Sequence, residues 1–152
     1  MASAASNDAD ILKRIKASFE PDYVPSDDEE YMSDKQLDYF RMLLIEWKRS
    51  IHSASTATLQ SLQDGPIREP DLNDRASSET DWGIELRTRD RQRKLISKID
   101  SALRRIDQGE YGYCEVTGDP IGLRRLIARP VATMTVEAQE AHERREKISR
   151  DD

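Results

Sequence analysis

The chain has a single cysteine, Cys114, among its 152 residues. That excludes an internal disulfide framework and fits a reducing compartment, with the cytoplasm as the expected address. No apolar run approaches the roughly 18 residues that a membrane-spanning helix requires. The first ten residues lack the basic and apolar parts of a secretory signal. Glycine and proline are scarce, 6 of each. Leu, Ile, Val and Phe together make up only about one fifth of the chain, at the edge of what supports a packed core. Charged residues reach 36%. Such a chain can bury a narrow apolar seam but not the thick core of a large enzyme domain. Basic residues are outnumbered by acidic ones, 24 to 30, for a net charge of −6. The whole surface is therefore not built to attract a polyphosphate backbone. A protein partner approached through oriented charge patches fits better.

Composition divides what is there into four stretches. Residues 1–32 are acidic and interrupted by Pro21, Pro25 and the run Asp27, Asp28, Glu29, Glu30. Within them, residues 10–20 form a short helix showing Ile11, Ile15 and Phe19 at spacings of four, either docked on the body or part of a free acidic tail. Residues 33–109 read as an antiparallel pair of helices with a tip at 65–77. Ser33 followed by Gln36 is a capping box. From there Leu37, Phe40, Leu44, Trp47, Ile51 and Ala54 recur at alternating spacings of three and four, a heptad seam. Gly65-Pro66 ends this helix, and a second runs from about Ser77 to Gln108, stopped by Gly109. Its apolar residues are Trp82, Leu86, Leu95, Ile99, Ala102 and Ile106.

Folding the two helices about their turn, with partner positions adding to about 146, sets Phe40 near Ile106, Leu44 near Ala102, Trp47 near Ile99 and Ile51 near Leu95. It also sets Leu59 and Leu62 near Leu86 and Trp82, with the small polar stretch 53–58 facing 88–91. Each arm is on the order of 40 Å long. The expected fold is mainly α: a long antiparallel two-helix coiled coil on a small globular body, ending in a C-terminal helix. The body, residues 110–134, holds Gly112, Gly118, Pro120 and Gly122 and reads as irregular or short-stranded. Packing there falls to Tyr111, Tyr113, Ile121, Leu123, Leu126, Ile127, Val131 and Met134. Thr133 or Thr135 caps the final helix in residues 135–152.

Cys114 and the turn after it have the outline of a zinc knuckle, but a structural zinc needs four N or S ligands, as a rule in two close pairs. Position 117 is Thr, and residues 133–138 contain neither Cys nor His. The body is therefore expected to be metal-free. Cys114 is either an oxidisable thiol, its pKa lowered by Arg124 or Arg125, or a small half-buried apolar residue.

At the tip, Asp71 and Asp74 stand three apart. They hold the turn and cap the second helix, or they display negative charge at the end of a rod. The two roles are compatible, since a capping carboxylate keeps a second lone-pair side free. An enzymatic reading with a metal held by these two acids fails, because no His, Lys or second acid pair completes a site and an exposed turn does not exclude water.

Asp71, Asp74 and Ala76 on the turn, the helix stretch 85–91, then 112–115, 121–126 and 128–130 together resemble the DksA/TraR family. The likeness runs over roughly residues 33 to 148. It implies a regulator that binds RNA polymerase rather than promoter DNA, entering the secondary channel so that Asp71, Asp74 and Ala76 act near the catalytic centre. It further implies polymerase contacts at Arg87 and Arg91, and a site for the alarmone ppGpp at the polymerase interface formed by Leu95, Lys98 and Arg129. The family's four zinc-ligand positions fall on Cys114, Thr117, Thr135 and Ala138. A further basic position of the ppGpp site falls on Gln139, which is neutral. The protein is expected to act as a monomer without a membrane or an enzymatic activity. The alternative is a coiled-coil scaffold that recruits another protein.

Overall fold

A computed structural model describes residues 10, 12–14, 23–63 and 72–151, with side chains at 10, 12–14, 23–56 and 79–150. Four helices follow in order: α1 (Asp34–Gln63), α2 (Leu72–Gln108), α3 (Leu123–Ala128) and α4 (Val136–Asp151). Ile11, Ile15 and Phe19 and the Gly65-Pro66 turn lie outside the described residues, as does Asp71.

The start of α1 is built as its sequence requires. The Gln36 N–H donates to Ser33 Oγ at 3.3 Å. The Gln36 side chain, fully buried, turns back to accept from the Met32 N–H at 2.8 Å and donates to the Ser26 carbonyl at 3.2 Å. One amide thus satisfies the helix start and the acidic segment before it. Phe40, Leu44, Trp47 and Ile51 are buried along the seam, joined by Leu43. Ala54 is exposed, so burial stops one step short of the expected heptad run.

On α2, Ile99, Ala102 and Ile106 are buried against them and Leu95 is half-buried. Each fully buried aliphatic or aromatic side chain here contributes about 1.5–3 kcal/mol relative to exposure. Polar links about one heptad apart fix the register: Arg41 to Asp107 at 2.8 Å, Lys48 to Asp100 at 2.7 Å and Ser55 to Gln92 at 2.7 Å. The ion pairs are partly exposed and contribute at most about 1 kcal/mol each. Their value is to specify which residues face each other.

Two expectations for the distal half are corrected. α2 begins at Leu72 rather than near Ser77. No Gly or Pro lies between Pro70 and Gly83, and an acid at position 74, in the first turn, suits the positive end of the helix dipole. Trp82 and Leu86 do not enter the seam: they are 48% and 53% exposed. The side chains of Leu59 and Leu62, their expected partners, lie outside the described residues.

The α2 helix ends at Gly109, where the Glu110 and Tyr111 N–H groups both reach the Arg105 carbonyl, at 2.9 and 3.1 Å. The body that follows has no named strand among the described residues, only an isolated bridge between Tyr113 and Pro120. The short-stranded alternative gives way to turns plus the six-residue α3. Tyr111, Ile121, Leu123, Leu126 and Val131 are buried as expected; Tyr113 is instead 36% exposed. The Tyr111 hydroxyl donates to the Pro130 carbonyl at 2.7 Å inside the core. Thr135 is the cap of α4, its Oγ1 accepting from the Ala138 N–H at 3.2 Å. Leu12, near the N-terminus, is buried in the same core, one position away from the face expected for that segment.

The acidic segment clasps the body to the rod. The Tyr31 hydroxyl donates to the Gly112 carbonyl at 2.6 Å and accepts from the Gly122 N–H at 3.0 Å. Gly112 has φ +91, and a Cβ there would stand 2.7 Å from Met32 Cγ and Sδ. Met32 itself has φ 54, held by its bond to Gln36. Glycine is required at 112 both for its backbone conformation and for this close approach.

Candidate functional site

Three groups of residues carry the functional expectations, and they sit at different levels of the molecule. The first is the distal end. Asp74 and Ala76 fall in the first turns of α2. At 1.5 Å per residue, Asp74 is about 50 Å along the helix from its base.

The second group lies on α2 itself. Arg87 and Arg91 are exposed and one turn apart, and Leu95 and Lys98 continue along the helix at further steps of four and three residues. Asp90 pairs with Lys94 at 3.4 Å and more loosely with Arg93 at 4.0 Å. Lys98 is exposed and Leu95 is half-buried on the core cluster. Arg129 is exposed just after α3, its backbone N–H closing that helix on the Arg125 carbonyl at 2.7 Å. Among the described residues neither Lys98 nor Arg129 is committed to an ion pair. Gln139 lies in α4, its amide donating to Glu143 at 3.0 Å.

The third group is the finger-like centre of the body, where Cys114, Thr117, Thr135 and Ala138 come together. The Cys114 thiol is buried. Burial alone pushes its pKa up, but the Thr117 hydroxyl and the backbone N–H groups of Thr135, Thr117 and Val116 favour the thiolate more strongly. The net result is a pKa lowered to about 7. Arg124 and Arg125, expected as the cause, are not: Arg125 instead donates through Nε to the Met134 carbonyl at 2.9 Å. Backbone bonds close the knuckle around the sulfur. The Gly118 N–H reaches the Cys114 carbonyl at 2.9 Å, and the Cys114 N–H reaches the Asp119 carbonyl at 2.8 Å. The two halves of the centre are joined by Glu115 N–H to the Thr133 carbonyl at 2.9 Å and by Thr133 Oγ1 to Glu115 at 3.2 Å. Arg105, from the end of α2, braces the near side by donating to the Tyr113 carbonyl at 2.6 Å.

This donor set does not fit a structural zinc. One thiol, two hydroxyls and a methyl group stand where four N or S ligands are needed. One of the hydroxyls caps α4 and the other is bonded to the sulfur. Among the described residues no group of His, Cys, Asp and Glu is arranged to hold a metal ion.

Sequence reasoning missed Tyr31. Its signal was faint: a tyrosine two residues before a Ser-x-x-Gln cap, where a side chain anchors the chain entering a helix. It also missed Gln36 as a buried link to Ser26, seeing only its capping role.

Among the described residues no helix is long and apolar enough to cross a membrane. Residues 36–106 match the family model for the DnaK suppressor protein DksA, N-terminal domain, and residues 109–144 match the prokaryotic dksA/traR C4-type zinc finger. The two matches meet where α2 ends at Gly109. The RNA polymerase-binding transcription factor DksA of Caulobacter vibrioides is 63% identical over 131 residues, covering 86% of this chain and 92% of that protein. Its Escherichia coli counterpart of the same name is 41% identical over 131 residues, 86% of each chain. The solved structure of transcription factor DksA2 from Pseudomonas aeruginosa superposes with a TM-score of 0.70 at 38% identity, covering 91% of this chain and 98% of that one.

Proposed function

This chain belongs to the DksA family, and we propose that it is a transcription regulator that binds RNA polymerase and acts through the far end of its helical rod. The observation that carries the reading is the rod itself: a registered α1–α2 pair whose second helix begins at Leu72 and ends at the body. A surface loop could not carry Asp74 and Ala76 about 50 Å from a folded base; Asp71 directly precedes that helix in the sequence. A rod of this length suits the polymerase secondary channel. Acids delivered there change the electrostatics around the catalytic metal or bind a mobile polymerase element. They regulate only if they interact differently with the conformations of the promoter complex. No catalytic step is assigned to this chain.

Arg87 and Arg91 are the proposed polymerase contacts on the helix, and Leu95, Lys98 and Arg129 the proposed contacts to ppGpp at the polymerase interface. Basic side chains suit pyrophosphate groups, and Lys98 and Arg129 are both exposed. Gln139 supplies no charge, which weakens the nucleotide contact by about 1–2 kcal/mol. The protein works as a cytoplasmic monomer, binds no promoter DNA and folds without metal.

The test is transcription in vitro from a sensitive promoter with purified polymerase, with and without ppGpp. Asp74→Asn is expected to fold and bind polymerase like the parent while losing regulation. Full regulation by that variant would remove the tip from the mechanism. Absence of polymerase among proteins captured by the parent chain would favour the scaffold.

A further inference from the structure

In the half of α2 nearest the body, the residues facing α1 are apolar: Ile99, Ala102 and Ile106 are buried and Leu95 is half-buried. Continuing toward the tip by the same heptad steps gives Gln92, Thr88 and Glu85. The Ser55 hydroxyl donates to the Gln92 side-chain carbonyl at 2.7 Å, which places the first of these in the seam. Burial divides at the same level. On α1 it reaches as far as Ile51, and on α2 as far as Ile99. None of the described side chains of 52–56 and 79–94 is buried. The rod therefore joins an apolar base to a polar distal seam, and it is packing of an apolar face that supplies most of a helix's stability in a protein.

The helices themselves are weaker on the distal side of that level. Ser53, Ser55, Thr56 and Thr58 fall within six residues of α1, and Gly83 lies inside α2, all poorer helix formers than alanine or leucine. Within one turn of the Ser55–Gln92 bond, each helix carries a threonine that bonds back to its own backbone. Thr56 Oγ1 donates to the His52 carbonyl and Thr88 Oγ1 to the Ile84 carbonyl, both at 3.0 Å. Such bonds slightly destabilise a helix and often bend it. On α2, Arg87 with Arg91 and Arg89 with Arg93 set like charges one turn apart, which is also unfavourable. Asp90 offsets part of this through Lys94 at 3.4 Å. Packing, propensity, back-bonding and charge all weaken the rod on the same side of one layer.

We propose that the rod is jointed at the level of Ser55 and Gln92, with a distal half that opens and recloses while the base stays folded. The closed form is the registered pair described above, and opening is a minority excursion of the kind that separates a protein into cooperative units. Lys48–Asp100 and Arg41–Asp107 lie on the base side and keep their register during it. The joint gives the distal half an equilibrium of its own, so an event at that end is absorbed without disturbing the body. This goes beyond the polymerase reading and does not depend on it.

The test is native-state amide hydrogen exchange of the full chain, read residue by residue by NMR. Protection factors at 53–56 and 80–91 are expected to be at least a hundredfold lower than those at 44–51 and 99–106. Ile99→Val, a mild change in the base, should speed exchange at 44–51 and 99–106 about fivefold and leave 53–56 and 80–91 unchanged, because the distal opening does not expose that residue. Ser55→Leu combined with Gln92→Leu gives the seam apolar contact and should slow exchange at 53–56 and 80–91 about tenfold. Equal protection in the two halves, or acceleration of both alike by Ile99→Val, would make the rod one cooperative unit and overturn the joint. Unchanged distal exchange in the double leucine variant would overturn it as well, by showing that the polar seam is not what lets that half open.

Discussion

Replacing Gly112 by Ala tests whether the acidic segment clasps the body, and Gly118→Ala supplies the control within the same body. Both glycines have positive φ, +91 and +78. At Gly118 nothing lies within 4 Å of an added Cβ, so the substitution costs backbone strain alone, about 1–2 kcal/mol. At Gly112 the methyl would be driven to 2.7 Å from Met32 Cγ and Sδ and 3.3 Å from the Tyr31 hydroxyl. Overpacking of this kind adds about 1–3 kcal/mol. Met32 cannot retreat freely, because its own backbone is pinned by Gln36. Tyr31 cannot move without lengthening its bonds to both Gly112 and Gly122. We expect a loss of about 3 kcal/mol for Gly112→Ala against about 1.5 for Gly118→Ala. For a chain of this length that is a fall in Tm of about 6–12 °C against about 3–6 °C. Urea unfolding followed by far-UV circular dichroism measures both. Adding Met32→Ala to Gly112→Ala should recover part of the difference, as expected for side chains in contact. Equal losses for the two glycine variants, or no recovery, would refute the clasp.

Other outcomes follow from the centre of the body. Thiolate absorbance at 240 nm should rise with a midpoint at about pH 7, and Cys114→Ser should abolish that step. A midpoint near 8.5, where an unperturbed thiol titrates, would show that the N–H groups do not hold the sulfur. The folded pKa lies below that of the unfolded chain. Thiolate stabilisation is therefore fully present above the unfolded value and is lost as pH falls through about 7. Parent and Cys114→Ser should differ more in stability at pH 9 than at pH 6. Chelator should leave the unfolding curve unchanged, and elemental analysis of protein purified without chelator should find no stoichiometric zinc. A fall in stability on metal removal would show that side chains of the body do hold a metal.

The proximal half of the rod was legible because its heptads combine apolar residues with a turn that sets one register, and the 41/107 and 48/100 ion pairs agree with that register to within two residues. The distal half was misread for a physical reason. Trp82, Ile84 and Leu86 are all about half-exposed large apolar residues of that stretch of α2, and periodicity assigns apolar residues to a seam whether or not the seam needs them. Only the phase carried from Ile99 through Gln92 shows that Glu85 and Thr88 occupy the inward positions. The start of α2 was misplaced because the acid-rich stretch 71–81 looks like a turn and is equally good chemistry for a helix N-terminus. The clasp was hidden for another reason. A hydrogen bond between Tyr31 and residues some 80 to 90 positions away leaves no local pattern to read.

A zinc ion in a finger joins two turns of chain that would otherwise be held by little. In this body the two turns are those at 114–117 and 133–138, and on the metal-free reading proposed above each function of the metal has a substitute among the contacts. The Cys114 sulfur accepts N–H groups from both turns, as a metal-bound thiolate does in part, and this lowers its pKa. The bonds between Glu115 and Thr133 tie the turns directly. The Thr135 hydroxyl, at a position the family resemblance assigns to a ligand, starts a helix. Ala138, at another such position, packs against the core. What the substitutes cannot supply is the rigidity of four covalent-like bonds, and the structure makes this up from outside the finger: Arg105 braces it from α2 and Tyr31 ties Gly112 to Gly122 from the acidic segment. The residues before Ser33 are therefore part of the body's framework, and a chain trimmed to residues 33–152 would keep its rod while losing the fixed angle between rod and body.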